Sequence, residues 1–235
     1  TEGVPLKTRM VRVSLRAAAL AAGLLLLLFP RTGRLAREFS ALSDPNALIA
    51  PDDPAVAVLS AEVDAKMPAG LDKARQVAWI EKFVEVRIAY AHDWNQWWNV
   101  DYWPTPSETV AAGREDCDGI AVLTASLLRH RGFKARLEGS IQHVWVAVEE
   151  QRILSPDDET NFDEGGWSLP GLKEIFDWLR YGLVEFPFWR WCLLGIWTVA
   201  AMRWPNARRT AAETIVCIAL LGASAAAART AATLA

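Results

Sequence analysis

Three residue types that cooperate in thiol chemistry occur in the order cysteine, histidine, aspartate. Cys117 comes first, His143 follows, and Asp157 and Asp158 come after it. A cysteine thiolate is a nucleophile, a histidine can take the thiol proton, and a carboxylate can hold the imidazole in the required tautomer. The order predicts a catalytic triad that transfers an acyl group through a thioester.

The cysteine begins a stretch that predicts a buried helix. Apolar residues recur at helical spacing at Ile120, Leu123 and Leu127, and alanines and leucines between them widen the apolar stripe. Gly132 stands where a left-handed residue ends such a helix. We therefore expect Cys117 at the helix N-terminus, where the free N–H groups of the first turn favour the thiolate over the thiol.

Alternating apolar and polar residues predict strands over 133–138 and 143–148, and a third short strand over 152–154 leads to the two aspartates. If the turn between the last two strands is centred on 150–151, a regular antiparallel ladder puts Asp158 opposite His143. This register favours Asp158 as the third member of the triad. A shift of one residue in the turn favours Asp157.

Four pieces of the sequence resemble the transglutaminase-like superfamily, and most closely its bacterial cysteine peptidases. They are the Trp-Pro-Thr-Pro-Ser-Glu-Thr-Val segment 103–110, the Asp116-Cys117 pair, the helix that ends at Gly132, and the His-Val-Trp-Val segment 143–146. The resemblance covers roughly residues 70–165. It implies an α+β fold in which a central cysteine-bearing helix packs on a small antiparallel sheet, as in papain-like cores. It also implies a hydrolase or acyltransferase that uses Cys117, His143 and an aspartate.

The sequence departs from the family motif at both ends of the Asp-Cys pair. Glu115 stands where the family usually has glycine, and Gly119 and Ile120 stand where many members have an acid and an aromatic residue. Carboxylates at 115, 116 and 118 crowd the thiol. A non-catalytic module that binds a peptide or a partner protein therefore stays open as a second hypothesis, and so does an acyltransferase that uses an amine.

The acid of the triad has a further alternative within the resemblance. The family's Asp-Pro-Thr-Asn ending resembles residues 158–161, but Ser155-Pro156 fits the Asp-Pro position equally well. In that case the triad is incomplete.

Composition and residue spacing restrict the cofactors and partners. No Cys-x-x-Cys or His-x-x-x-His spacing suggests zinc, so we expect no metal and no cofactor. A net charge of −3 argues against a nucleic-acid partner. The family resemblance implies a peptide or protein substrate. His92 and His130 are expected to be helix-end or loop residues without a catalytic role. Cys192 and Cys217 lie in apolar segments, which leaves Cys117 as the single thiol of the soluble domain.

A cluster of aromatic residues precedes the family motif. It could wall a substrate cleft, one indole N–H could help hold an oxyanion, or the cluster could be a loop packed over the core. Its members are Trp94, Trp97, Trp98, Tyr102 and Trp103.

Apolar segments at both ends predict a membrane protein. Residues 1–37 contain four basic residues followed by an apolar run, which predicts a signal anchor, with a cleaved signal peptide as the alternative. Residues 38–69 contain four prolines and predict a linker to the 70–165 domain. Residues 166–185 predict an amphipathic helix, on the membrane surface or against the domain. Residues 186–204 and 211–235 predict a transmembrane hairpin, with a soluble helical pair as the weaker alternative.

The basic residues predict the orientation of these spans. Basic residues before the first span and between the last two can all be cytoplasmic, which places the domain outside. We expect a bacterial inner-membrane protein with a periplasmic or extracellular domain. Its expected partners are the lipid bilayer and, as further candidates, other membrane proteins.

Overall fold

The computed structural model describes residues 6–148, 151–153, 162–163 and 166–203. Their α-helices are α1 (Leu6–Leu28), α2 (Leu35–Ser43), α3 (Pro54–Lys66), α4 (Lys73–Arg87), α5 (Asp93–Gln96), α6 (Pro106–Ala112), α7 (Cys117–His130), α8 (Leu172–Glu185) and α9 (Phe188–Arg203). Their strands are β1 (Ala89–Tyr90), β2 (Arg114–Glu115), β3 (Ala135–Gly139), β4 (Val144–Val148), β5 (Gln151–Ile153), β6 (Phe162–Asp163) and β7 (Gly166–Trp167). Helices and small sheets together confirm the α+β class.

The chain divides into two compact units, of which one contains α1 and α9 and the other spans Phe29–Phe186. In the first unit the indole N–H of Trp197 donates to the carbonyl of Ala19 at 3.2 Å. A Cβ on Gly23 would lie 1.7 Å from the Trp197 indole nitrogen, so a glycine is needed for this approach. The two apolar helices therefore pack directly on each other.

Among the described residues, one helix is long and apolar enough to cross a membrane, over Met10–Leu28. It lies inside the predicted 1–37 segment. Helix α9 has 16 residues, fewer than the roughly 20 that a span needs. The predicted span over 211–235 lies outside the described residues.

The linker predicted over 38–69 is wrong. This stretch forms most of α2, a 3-10 helix over Pro45–Leu48, and α3. Pro45 and Pro54 lie in the first turns of their helices, where a missing N–H costs nothing, rather than marking extended chain. Val56 and Val63 of α3 are fully buried in the domain core. The stretch therefore belongs to the second unit.

Helix α7 is the central element of that unit, as predicted. Ten of its 14 residues are buried, and it packs against α3, α4 and α6 as well as against β3 and β4. The helix ends at His130, and Gly132 has a φ of 83°, the left-handed conformation that the sequence predicts there. Periodicity and end signals thus placed this helix correctly.

The larger sheet is antiparallel, with strand order β5-β4-β3-β6-β7. Leu137 of β3 pairs with Val146 of β4, and both are buried with α7 in one core cluster. A second sheet contains only β1 and β2, which are parallel. This short pair positions part of the candidate site.

Candidate functional site

Cys117 is the first residue of α7, and Asp116 holds the N-cap position. The backbone N–H of Val144, the first residue of β4, donates to the Cys117 sulfur. The thiol therefore lies against the start of the strand that directly follows His143.

A tight turn holds the backbone of His143. The Ser140 N–H donates to the His143 carbonyl at 2.8 Å, and the Ser140 hydroxyl oxygen accepts from the His143 N–H at 3.2 Å. The imidazole centre lies 6.1 Å from the Trp145 ring centre. Pairing of this imidazole with the Cys117 thiol stays a prediction.

The observed register changes the argument for the third member of the triad. Val148 pairs with Gln151, which centres the turn between residues 149 and 150, one residue earlier than the prediction assumed. The assumed ladder that favoured Asp158 is therefore wrong. Asp157 and Asp158 themselves lie outside the described residues, so the identity of the acid stays a prediction.

The β1–β2 pair brings a distant segment of the chain to Cys117. Tyr90 pairs with Glu115, and the N–H of Ala91 donates to the Glu115 carbonyl at 3.0 Å. Beyond this parallel pair, the chain continues into His92 and Asp93 on one side and into Asp116 and Cys117 on the other. The parallel pair thus brings two stretches of chain, more than 20 residues apart in sequence, next to each other at the site.

Their ends form a cluster of carboxylates, which we call the acid cluster: Asp93, Glu115, Asp116 and Asp118. One carboxylate oxygen from each lies within 4.8 Å of the others. Asp93, Glu115 and Asp118 are buried and Asp116 is partly buried. Sequence analysis found three of these acids because they flank the cysteine. It missed Asp93, because strands of two residues leave no periodic signal.

The aromatic loop before the family motif holds the acid cluster. The Trp97 indole N–H donates to Glu115 Oε2 at 2.6 Å, and the Tyr102 backbone N–H donates to Asp93 Oδ2 at 2.6 Å. Trp97 and Tyr102 are buried, and Trp98 has a φ of 68°, which costs energy in a residue with a bulky side chain. The rings of Trp97 and Tyr102 are thus packed in the protein interior, as the packed-loop hypothesis expects. The same loop also supplies hydrogen bonds to the acid cluster.

Burial raises the pKa of every member of the acid cluster. The pKa of Glu115 rises to about 7, and those of Asp93, Asp116 and Asp118 also rise, with the neighbouring carboxylates as a further cause for each except Asp116. Four ionised carboxylates cannot share so small a buried space without a counter-charge. The cluster therefore shares protons at neutral pH or holds a hard divalent cation, for which carboxylate oxygens are the preferred ligands.

The expectation that the helix N-terminus makes Cys117 a thiolate is wrong for the resting protein. Burial and the neighbouring Asp116 carboxylate raise the pKa of Cys117 to about 12, although the Val144 N–H acts in the opposite direction. Desolvation and like charge thus outweigh the N–H groups of the first turn. At neutral pH the thiol keeps its proton.

Glu115 and Gly119 fit together in space. A Cβ on Gly119 would lie 2.2 Å from Glu115 Cγ and 2.7 Å from Pro104 Cγ. Glu115 can therefore point into the core only because residue 119 has no side chain.

His92 lies beside this site, which the sequence analysis did not anticipate. Its charge lowers the pKa of Asp116, and its ring stacks on Trp94 with centres 4.3 Å apart. Its Nδ1 lies 3.2 Å from the Tyr181 hydroxyl, and its Nε2 lies 3.8 Å from Glu185. Helix α8 therefore packs on the same side of the domain as Cys117.

The residues that follow α1 also contact the aromatic loop. The Arg34 guanidinium lies over the rings of Trp97 and Tyr102, 4.4 and 4.3 Å from their centres. Arg37 donates to the carbonyls of Trp103 and Pro104, the second bond at 3.0 Å. The segment between the first apolar helix and the domain thus stabilises the loop that holds the acid cluster.

No protein-family model and no curated protein matches this chain.

Proposed function

We propose that this chain is a membrane-anchored cysteine peptidase or amidase with a transglutaminase-like core. The observation that supports the proposal most directly is the position of Cys117, at the N-terminus of the buried central helix and against the N–H of Val144. His143 comes one residue before that N–H donor. A nucleophile at the start of α7 and a base directly before β4 are the two groups that the proposed acyl transfer requires.

In the proposed reaction His143 takes the proton of the Cys117 thiol, and the sulfur attacks an amide carbonyl. Breakdown of the tetrahedral intermediate releases the amine, which takes the proton back from His143, and leaves a thioester on Cys117. Water, activated by His143, then releases the acid and the free thiol. Asp158 or Asp157 orients the imidazole, and the backbone N–H of Cys117 donates to the oxyanion.

The raised pKa of Cys117 determines when the proton moves. A thiol with a pKa of about 12 does not form an ion pair in the resting protein. His143 therefore acts as a general base during the attack, not as the partner of a preformed thiolate. The resting protein should accordingly react slowly with simple alkylating agents.

Membrane anchoring is part of the proposal, with α1 as the span and the domain outside the bacterial inner membrane. Helix α9 packs on α1 and enters the bilayer beside it, followed by the predicted 211–235 span. Arg34 and Arg37 follow the first span and lie on its outer side in this orientation. Basic residues are usually enriched on the cytoplasmic side, so these two arginines count against the orientation unless they have another role. Their bonds to the aromatic loop give both residues a structural role instead.

Alkylation of Cys117 as a function of pH tests the proposed pair. The full chain carrying Cys192→Ser and Cys217→Ser is treated with iodoacetamide in detergent, and modified Cys117 is measured by mass spectrometry. We expect an inflection near the imidazole pKa, about 6.5, that disappears in His143→Ala. His130→Ala is the matched control, because His130 lies at the opposite end of α7 and bonds the Pro51 carbonyl. An unchanged profile in His143→Ala would contradict the proposal.

Asp116→Asn sharpens this test. Removing the carboxylate next to the thiol should lower the Cys117 pKa, because Asp116 is the largest charge that raises it. Each pKa unit gives about a tenfold higher thiolate fraction at a fixed pH below the pKa. Alkylation at pH 8 should therefore be severalfold faster in Asp116→Asn. An unchanged rate would mean that burial alone sets the thiol pKa.

A second function, a non-catalytic module that binds a peptide or partner protein, is favoured by the raised pKa of Cys117 and by the acid cluster around it. Cleavage of fluorescein-labelled casein, together with incorporation of a biotinylated amine, separates the candidates. A hydrolase cleaves casein, and an amine-using acyltransferase incorporates the amine. Both activities must disappear in Cys117→Ser. Retention of either activity in Cys117→Ser would overturn the role of the thiol.

A further inference from the structure

Helix α8 turns its apolar face away from the domain. Leu172, Phe176 and Leu179 follow one another at spacings of four and three residues and therefore lie on one face. Their exposed fractions are 88%, 68% and 50%. A helix that packs on a domain ordinarily buries this face.

The opposite face of α8 makes the contacts with the domain. Glu174, Tyr181 and Glu185 lie at spacings of seven and four residues on that face. The Glu174 carbonyl accepts from the Gln142 side chain at 3.3 Å, and Tyr181 and Glu185 both contact His92. These three contacts turn this face of α8 towards the domain, and the apolar stripe stays uncovered by the described residues of its unit.

We propose that this outward face of α8 lies on the surface of the lipid bilayer. The inference depends on the membrane anchoring proposed above. Helix α8 ends at Glu185, and α9, which packs on the candidate span, begins at Phe188. The chain therefore passes from α8 to an apolar helix within three residues, which keeps the end of α8 at the boundary of the bilayer.

The residues around the apolar face have the chemistry of an interfacial helix. Lys173 and Arg180 are seven residues apart and lie along one flank of the stripe, where their long side chains reach lipid headgroups. Trp189 and Trp191 at the start of α9 are 48% and 38% exposed, and tryptophan is enriched at the boundary between lipid and water. At a bilayer surface the apolar stripe can contact the acyl chains while the basic flank contacts the lipid headgroups.

The position of α8 on the bilayer would also restrict the class of substrate that the proposed enzyme can reach. The inner face of α8 contacts His92, which lies beside Asp116, the residue before Cys117. If the outer face lies on lipid, the thiol is separated from the membrane surface by about one helix diameter, roughly 10 Å. The substrate would then be a polypeptide segment close to the membrane, not a distant soluble peptide.

Fluorescent labels at single cysteines test the position of α8. Three variants of the full chain, Phe176→Cys, Asp177→Cys and Leu25→Cys, are made in a background without native cysteines. Each is labelled with an environment-sensitive nitrobenzoxadiazole dye and reconstituted in phosphatidylcholine–phosphatidylglycerol vesicles. Quenching by iodide measures access to water, and quenching by lipids with a nitroxide on the acyl chain measures access to the bilayer.

We expect the label at 176 to be quenched by the nitroxide lipid and to be several-fold less accessible to iodide than the label at 177. Position 177 is the matched control, because it is the next residue and points about 100° away around the helix. The label at 25 reports whether α1 itself is in the bilayer.

The outcomes separate the two proposals. If 25 is quenched by lipid while 176 is quenched by iodide, anchoring stands and the docking of α8 is wrong. If 176 is shielded from both quenchers, a protein or a second copy covers the face, and the bilayer proposal is equally overturned. If 25 is open to iodide, anchoring fails and the docking of α8 fails with it. The alkylation assay of Cys117 is independent of all three results.

Discussion

The two ends of α7 follow opposite physical rules. At the C-terminal end, Arg131 pairs with the exposed Asp64 at 2.6 Å, Arg129 donates to the Ala135 carbonyl at 2.6 Å, and Gly132 supplies the left-handed turn. At the N-terminal end, four carboxylates share a mostly buried space, and Asp93 Oδ1 has no hydrogen-bond partner among the described residues.

The difference between the two ends supports the proposed site at the N-terminal end of α7. Cations near the negative end of a helix and a glycine after it are stabilising and need no further explanation. Buried like charges lower stability and persist in a folded protein where they serve a site. The contrast therefore points to the Cys117 end of the helix, independently of any motif.

The largest expected effect is a decrease in the free energy of unfolding as the pH rises, because buried carboxyl groups lie near the N-terminal end of α7. The pKa of Glu115 is raised to about 7 and that of Glu38, which accepts from the Trp103 N–H, to about 8, against about 4.3 for an unfolded glutamate. The folded state thus binds more protons than the unfolded state in this range. The contribution of these two protonated carboxyl groups to the free energy of unfolding is fully present below about pH 4. It decreases as the pH rises towards 8.

Denaturant unfolding of the full chain in detergent, in a buffer with a chelator, measures this loss. Each pKa unit corresponds to about 1.4 kcal/mol, so we expect a decrease of a few kcal/mol between pH 4.5 and 8. Glu115→Gln should make the dependence shallower. A constant midpoint across this range would show that the carboxylates are neutralised in another way.

The next effect concerns the glycine at the functional end. Gly119→Ala should destabilise the protein by about 2 kcal/mol, because its Cβ would overlap Glu115 Cγ and Pro104 Cγ. The double variant Glu115→Gly/Gly119→Ala removes the overlap with Glu115 Cγ and should recover part of the loss. Additive effects of Glu115→Gly and Gly119→Ala on the free energy of unfolding would contradict the steric coupling between these two residues.

The smallest effect is expected at the other end of the helix. Gly132→Ala should cost about 1 kcal/mol, because φ is positive but nothing lies within 4 Å of the added Cβ. It should leave the pH profile of Cys117 alkylation unchanged. A change in that profile would show that the two ends are coupled.

Local patterns were sufficient where periodicity extends over several turns or strands. They predicted α7 with its glycine end, the β3–β4 pair and the position of Cys117 at the helix start. They failed where the signal is short or depends on burial. The prolines of 38–69 locally indicate a linker, whereas Pro45 and Pro54 lie in the first turns of helices. The β4–β5 turn lies one residue earlier than the regular ladder centred on 150–151 predicts.

The sequence by itself determined the central helix, its cysteine, the α+β class and the apolar segment near the N-terminus, because each depends on residues that are neighbours along the chain. Only the tertiary structure decided that Asp93 and His92 join the cysteine, that Glu115 fits over Gly119, and that α8 turns its apolar face outward. Those features depend on contacts between residues far apart in sequence. Burial in those contacts, which no local pattern encodes, also reversed the expected ionisation of Cys117.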